Sequence, residues 1–222
     1  MNRAQLLGVL ALLPQATLET IHMTFLSTVI AVILGFPLGV ILYCSSPVGL
    51  FPQGLSYKVL SRIIKVLCSL PFIVLMILLI PLSRLIVGTS IGPTAVIVPL
   101  SIAAVPFVAR IVESALQELD SGVLLAAKAV GSTNFQIIRK VLIPESLPSL
   151  VSGLTLTIVN LIGYSAMAGA IGGGGLGALA INYGYYRFRT DVTIAAVIVI
   201  LILVELVQLA GTTISRVLLS KR

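Results

Sequence analysis

The chain has 222 residues, 58% of them apolar and 9% charged, with a mean hydropathy of +1.17, whereas soluble domains carry about a quarter charged residues. A water-soluble fold of this size could not hide that much apolar surface, and the charges needed to coat it are confined to short intervals. The formal charge of +7 comes from basic residues standing singly beside apolar runs, without the basic face and interleaved aromatics that nucleic acid requires.

The first element is a short apolar run, Leu6 to Leu13, between Arg3 and Pro14. It lacks a small-x-small cleavage site, so it reads as an uncleaved lead-in over residues 1–19, external to the membrane, with Thr17 and Thr20 as polar start signals for the helix that follows. No Asp, Glu, Lys or Arg occurs between Glu19 and Lys58, and residues 23–43 match the roughly 20 residues that a helix needs to cross the hydrocarbon core. Further spans are expected at about 66–83, 85–109, 147–168 and 192–213, with Arg84 dividing the second from the third. Gly35, Pro37 and Gly39 lie inside the first span; a kinked helix packed within the subunit is the simpler reading of this GxxxG. Cys44 and Cys68 have no metal-ligand spacing and are read as small apolar fillers.

With the loop after the third span inside, ten basic residues are cytoplasmic and four (Arg3, Arg84, Arg187, Arg189) are external. The positive-inside rule then puts the N-terminus outside and the C-terminus in the cytoplasm. That inner loop, residues 113–148, holds Glu113, Glu118, Asp120 and Glu145, four of the seven acids. Val123, Ala126, Ala127 and Val130 recur at helical spacing and Gly131 follows as a left-handed stop. Thr133 and Gln136 form a capping box for a second helix that carries Phe135, Ile138 and Leu142 and ends at Pro144. Such a finger of small apolar residues either packs on its own membrane domain or enters a groove in a partner. The expected fold is all-α: about five transmembrane helices in one membrane domain over residues 20–222, with a helix-turn-helix loop over residues 113–148.

The run Ala126-Ala127-Lys128-Ala129-Val130-Gly131, with Ile137 to Glu145 after it, resembles the EAA loop of the permease subunits of binding-protein-dependent ABC importers. In that family the helix before the glycine is the coupling helix, seated in a cleft of an ATPase subunit. The resemblance assigns ATPase coupling to Leu125, Ala126, Ala127, Lys128 and Gly131, although Leu125 replaces the glutamate that leads the family motif. Ser69 to Ile73, Val87 to Gly92, Gly163 to Ala170 and Gly172 to Gly177 are most similar to the methionine-type members. The resemblance implies import of methionine, the L form with the D form as a further candidate, across the bacterial inner membrane by alternating access. Another small amino acid or related solute is the alternative, and an ion-coupled secondary transporter is the rival from another class. It also implies a homodimer, two ATPase subunits and an extracytoplasmic substrate-binding protein. The chain itself would bind no cofactor, with ATP and Mg at the ATPase.

Gly172, Gly174 and Gly177 spell GxGxxG, yet they follow a membrane span instead of a strand, and no Lys-Ser or Lys-Thr completes a phosphate loop. A turn or re-entrant stretch at the outer mouth is expected there. His22 is the single histidine and no Ser/His/Asp or Cys/His grouping surrounds it, so the chain reads as a non-catalytic subunit with no metal site. For the translocation path the candidates are Asn160, Tyr164, Ser165 and Met167 in the fourth span. Asn160 and Tyr164 are one helical step apart, Met167 falls one residue short of the next such step, and it would supply a soft apolar gate. Glu205 is the one acid well inside a predicted span, with Gln208 near enough to hydrogen-bond it.

Overall fold

A computed structural model of the chain describes residues 3–52 and 54–220. Every regular element among them is helical. Met1, Asn2, Lys221 and Arg222, counted in the expected lead-in and charge balance, lie outside the described residues.

Helix α1 (Arg3–Ser45) passes through Pro14 and Pro37 without a break. Thr17, Thr20, Thr24 and Thr28 each donate a hydroxyl to the carbonyl four residues back, so these side chains are satisfied inside the helix and none of them starts it. The expected lead-in and first span are therefore one continuous helix.

Helices α2 (Gly54–Cys68) and α3 (Phe72–Val87) meet at 100° across Ser69–Pro71. The expected window 66–83 straddles this bend. Pro71 disfavours a helical residue before it and starts α3, which is why an apolar run that looks continuous is broken here. Arg84 sits inside α3, not between two spans; the boundary is made by Gly88 (φ +81) and Gly92 (φ +101), and α4 (Pro93–Gln117) opens on a proline at its first position. The third span is thus shifted toward the C-terminus of its expected window.

Asp120 caps α5 (Ser121–Ala129), accepting from the Gly122 amide at 2.7 Å. Thr133 and Gln136 make both bonds of the expected capping box on α6 (Asn134–Ile137). Pro144 does not end the helix, contrary to expectation. A π-turn over Ile138–Leu142 shifts the hydrogen-bond ladder by one residue just before it, and α7 (Ile143–Ala168) continues the same rod. After the glycine run come the short α8 (Gly175–Leu179) with a π-helical extension (Ala180–Tyr185) and then α9 (Thr190–Leu219).

The core lies where α1, α4 and α7 meet, around Met23, Leu100, Val108, Val112, Leu116 and Leu161. Gly35 and Gly39 let α1 close on α4. A Cβ at Gly35 would stand 2.8 Å from the Val105 carbonyl, and one at Gly39 would stand 2.6 Å from that of Ala109. The GxxxG is a contact inside the subunit, and α9 closes on α7 in the same way through Gly211 against Thr155. Four described rods are long and apolar enough to span a bilayer (11–45, 93–117, 134–171 and 190–219), and the bent α2–α3 pair makes a fifth if it crosses as one unit.

Candidate functional sites: a helical finger and a crevice beside the core

The finger between α4 and α7 is held from its inner side. Leu124 and Ala127 of α5 pack with Ile137, Leu142, Leu116 and Tyr43, and the Ser149 hydroxyl donates to Glu118 at 2.9 Å, pinning the base of the finger to α7. Gly131 has φ +78; it donates to Lys128 O while Ser132 donates to Ala127 O, so the last carbonyls of α5 are satisfied by a left-handed turn. A Cβ on Gly131 would meet nothing within 4 Å, so conformation, not space, calls for glycine there.

The outer side of the finger is uncovered. Leu125, Val130 and Phe135 are 65%, 81% and 69% exposed, and Ala126 and Lys128 are exposed with them. Of the five residues singled out for coupling, only Ala127 turns inward. The expected stripe of Val123, Ala126, Ala127 and Val130 is split: Ala127 packs inside the chain while the other three are open. Val130 and Phe135, the most exposed apolar side chains of the finger, carried no site assignment in the sequence, although their place just before and after the Gly131 turn was readable there.

A second feature is a crevice between the α2–α3 bend, α4 and α7. Leu67, Cys68, Phe72, Ala104, Phe107 and Thr157 line it together with Asn160 and Tyr164. The Tyr164 ring stacks on Phe72 with centroids 4.6 Å apart and planes 8° from parallel. Asn160 is exposed at the edge of the crevice, and Met167 is 52% exposed. Seven residues make nearly two turns of helix, so Asn160 and Met167 share a side of α7. Ser165 is separate: it is buried and donates its hydroxyl to Ile162 O at 2.7 Å within its own helix. The structure thus brings Asn160 and Tyr164 together and leaves Ser165 outside the group. Phe72 was missed as their neighbour; Pro71 was the signal that a bend would carry it there.

The glycine run is a packing junction. Three of its amides have partners within the chain: Gly175 N donates to Glu19 Oε2 (2.8 Å), Leu176 N to Thr20 Oγ1 (2.9 Å) and Gly173 N to Ala168 O (2.9 Å). Gly172 (φ +83) accepts from Gly92 N, which ties the loop to the start of α4. Amides bound in this way cradle no phosphate. On α9, Glu205 and Gln208 are both exposed and the expected bond between them does not form.

An all-helical membrane bundle with a capped finger whose apolar outer face is open, and with a polar-edged crevice beside its core, is the architecture of an importer permease. The chain belongs to the family of binding-protein-dependent transport system inner membrane components, whose model matches residues 35–219. It is 45% identical to a probable D-methionine transport system permease protein of Vibrio cholerae over 92% of this chain and 91% of that one. It is also 47% identical to the D-methionine transport system permease protein of Escherichia coli K12, over 71% of this chain and 73% of that one. Among solved structures, an inward-facing MetNI methionine ABC transporter superposes with a TM-score of 0.93 at 43% identity, covering 98% of this chain and 99% of that chain. An amino-acid ABC transporter with histidines shares the fold, with a TM-score of 0.79 at 22% identity. The chain is accordingly a multi-pass permease of the inner membrane and a transport component.

Proposed function

We propose that this chain is the membrane-spanning subunit of an ATP-driven importer that carries methionine. The observation that carries this reading is the open apolar face of the finger, Leu125, Val130 and Phe135, on a chain about 45% identical to methionine permeases over nearly its whole length. A face of this kind is costly to leave in water and suits a groove in a partner.

On this reading two copies form a homodimer, each docking one finger into an ATPase subunit. The finger lies on the cytoplasmic side, the N-terminal end of α1 faces outward, and an extracytoplasmic binding protein delivers the substrate to that outer side. The chain performs no hydrolysis and holds no cofactor; ATP and Mg belong to the ATPase. Closure of the ATPase dimer draws the two fingers together and turns a cavity between the copies outward, and hydrolysis returns it inward. Leu125 in place of an acid makes α5 dock through shape and apolar contact, with Lys128 as the one charge among its assigned residues.

The translocation path follows the open side of α7, with Asn160 as a polar contact, Tyr164 held rigid by its stack on Phe72, and Met167 as a soft gate. Ser165 takes part through the helix it braces and not as a lining group.

The test is ATP-dependent methionine uptake into vesicles containing the permease, its ATPase and its binding protein, comparing wild type with Gly131→Val and Gly131→Asn. A β-branched residue at φ +78 is a strong outlier, whereas asparagine tolerates the left-handed region. The valine variant should insert normally but lose ATPase association and uptake, while the asparagine variant keeps most of both. Unchanged uptake by the valine variant would remove the finger from the mechanism, and transport of another amino acid in preference to methionine would correct the substrate.

A further inference from the structure

Helix α2 has a construction that neither the transport path nor the finger uses. Its 15 residues make a rod of about 22 Å, too short for a hydrocarbon core of about 30 Å, and it stands at 100° to α3. With α3 upright in the bilayer, a helix at 100° to it lies along the membrane surface and leaves the crossing of the bent pair to α3. One of its faces, with Ile64, Tyr57 and Leu60, packs on Leu38 and Leu42 of α1 and Ala109 of α4. The Tyr57 hydroxyl also donates to the buried Glu113 carboxylate at 2.9 Å. These partners lie in the last turns of α1 and α4, so α2 sits at the end of the bundle that carries the finger.

The rest of its circumference divides in two. Lys58, Arg62 and Lys65 fall at intervals of four and three residues and form one basic stripe. They lie along a shallow groove, are exposed, and join no ion pair among the described residues. Beside them Leu55, Val59, Ile63 and Val66 form an apolar stripe in which every side chain is at least half exposed. No acid occurs anywhere in the helix. Basic and apolar stripes side by side on a helix lying in the plane of the interface are what an anionic leaflet accommodates: phosphates on one stripe, acyl chains on the other.

We propose that α2 is an interfacial helix that binds anionic phospholipid of the cytoplasmic leaflet, with Lys58, Arg62 and Lys65 on the headgroup phosphates and Leu55, Val59, Ile63 and Val66 in the acyl region. It rests on the orientation proposed above. Because Tyr57 and Ile64 fasten the other face of α2 to α1 and α4 near the finger, bound lipid steadies the base from which the finger projects.

The test is native mass spectrometry of the purified permease–ATPase complex titrated with phosphatidylglycerol or phosphatidylcholine. Wild type should retain phosphatidylglycerol in preference, and Lys58→Gln, Arg62→Gln and Lys65→Gln should each lower that retention roughly fivefold, with the triple variant abolishing the preference. The same spectra show whether each variant assembles, so if the triple variant fails to do so the single variants decide. Equal retention of both lipids by wild type, or a preference untouched by the three changes, overturns the proposal. So does a strong disulfide between copies of Val59→Cys in a Cys44→Ser, Cys68→Ser background, which would assign the apolar stripe to the dimer contact. ATP-driven methionine uptake by the same preparations reports separately on the transport reading, which stands if uptake persists while lipid preference is lost.

Discussion

Asn160, Tyr164 and Met167 illustrate how one helix assigns different work to neighbouring positions. Tyr164 is fixed against Phe72 by a parallel ring stack, while Asn160 at the crevice edge and Met167 on the same side of α7 are open. An aromatic pair of this kind is worth about 0.5–1.5 kcal/mol beyond its burial, so Tyr164→Ala should disturb the packing of the bend as well as remove a lining group. Met167→Ala removes only an exposed side chain. Initial-rate uptake assays on the two variants are therefore expected to differ: Tyr164→Ala lowers the maximal rate several-fold, whereas Met167→Ala leaves assembly intact and raises leak or ATP turnover without transport. Uptake unchanged in both would take α7 out of the path. Leu125 makes a sharper single-residue prediction. It is 65% exposed on the finger, and a carboxylate there would have to be desolvated on docking. Leu125→Glu should weaken copurification of the ATPase by about tenfold or more, and stronger coupling would mean that the partner retains a basic site for the motif glutamate.

At the scale of elements, the most extensive contact is that of α1 with α4. Gly35 and Gly39 leave no room for a side chain, and overpacking a tight contact typically costs about 1–3 kcal/mol. Gly39→Leu is accordingly expected to lower the thermal stability of the detergent-solubilised complex while leaving the finger's own surface untouched. An unchanged melting profile would show that α1 can slide on α4. The glycine loop is a second junction. Glu19 and Thr20 of α1 accept from the amides of Gly175 and Leu176 across 156 residues of sequence, so α1 fastens the start of α8 as well as the body of the bundle. Element boundaries were the least legible part. Charged residues marked the expected limits, and Arg84 was taken for one, but it lies within α3; the chain turns where Gly88 and Gly92 adopt positive φ, which a hydropathy window does not see. Pro144 misled for a related reason, because the π-turn before it supplies a ladder that needs no proline N–H.

For the whole molecule the informative residue is Glu205. It stands in the middle of α9, exposed on the isolated chain and next to apolar side chains that are also exposed. An ionised carboxylate facing acyl chains is costly, so its place is against a second copy or a water-filled cavity. Glu205→Gln separates the two energy sources. In a permease driven by an ATPase, uptake should continue to require ATP and retain most of its rate; in an ion-coupled transporter the same change would abolish gradient-driven accumulation. Uptake by wild type that survives loss of the ATPase and collapses with the membrane gradient would reverse the assignment. The proposed dimer would also account for the open apolar and polar surface of α7 and α9, a single chain then supplying half of a cavity.

Composition by itself determined that this chain lives in a bilayer, because no arrangement of 58% apolar and 9% charged residues presents a water-compatible exterior. Much of the finger was legible too, since its caps are local: Gly131, Thr133 and Gln136 act within a few residues of one another in the roles expected of them, while the Asp120 cap on α5 and the continuation through Pro144 were not read. What only the tertiary structure decided are the relations between distant segments. The bend at Pro71 that turns α2 across the bundle, the meeting of Phe72 with Tyr164, the seating of the glycine loop on Glu19 and the exposure of Leu125, Val130 and Phe135 are of this kind. Each depends on which faces of separate helices come together, and periodicity says that a face exists without saying what will cover it.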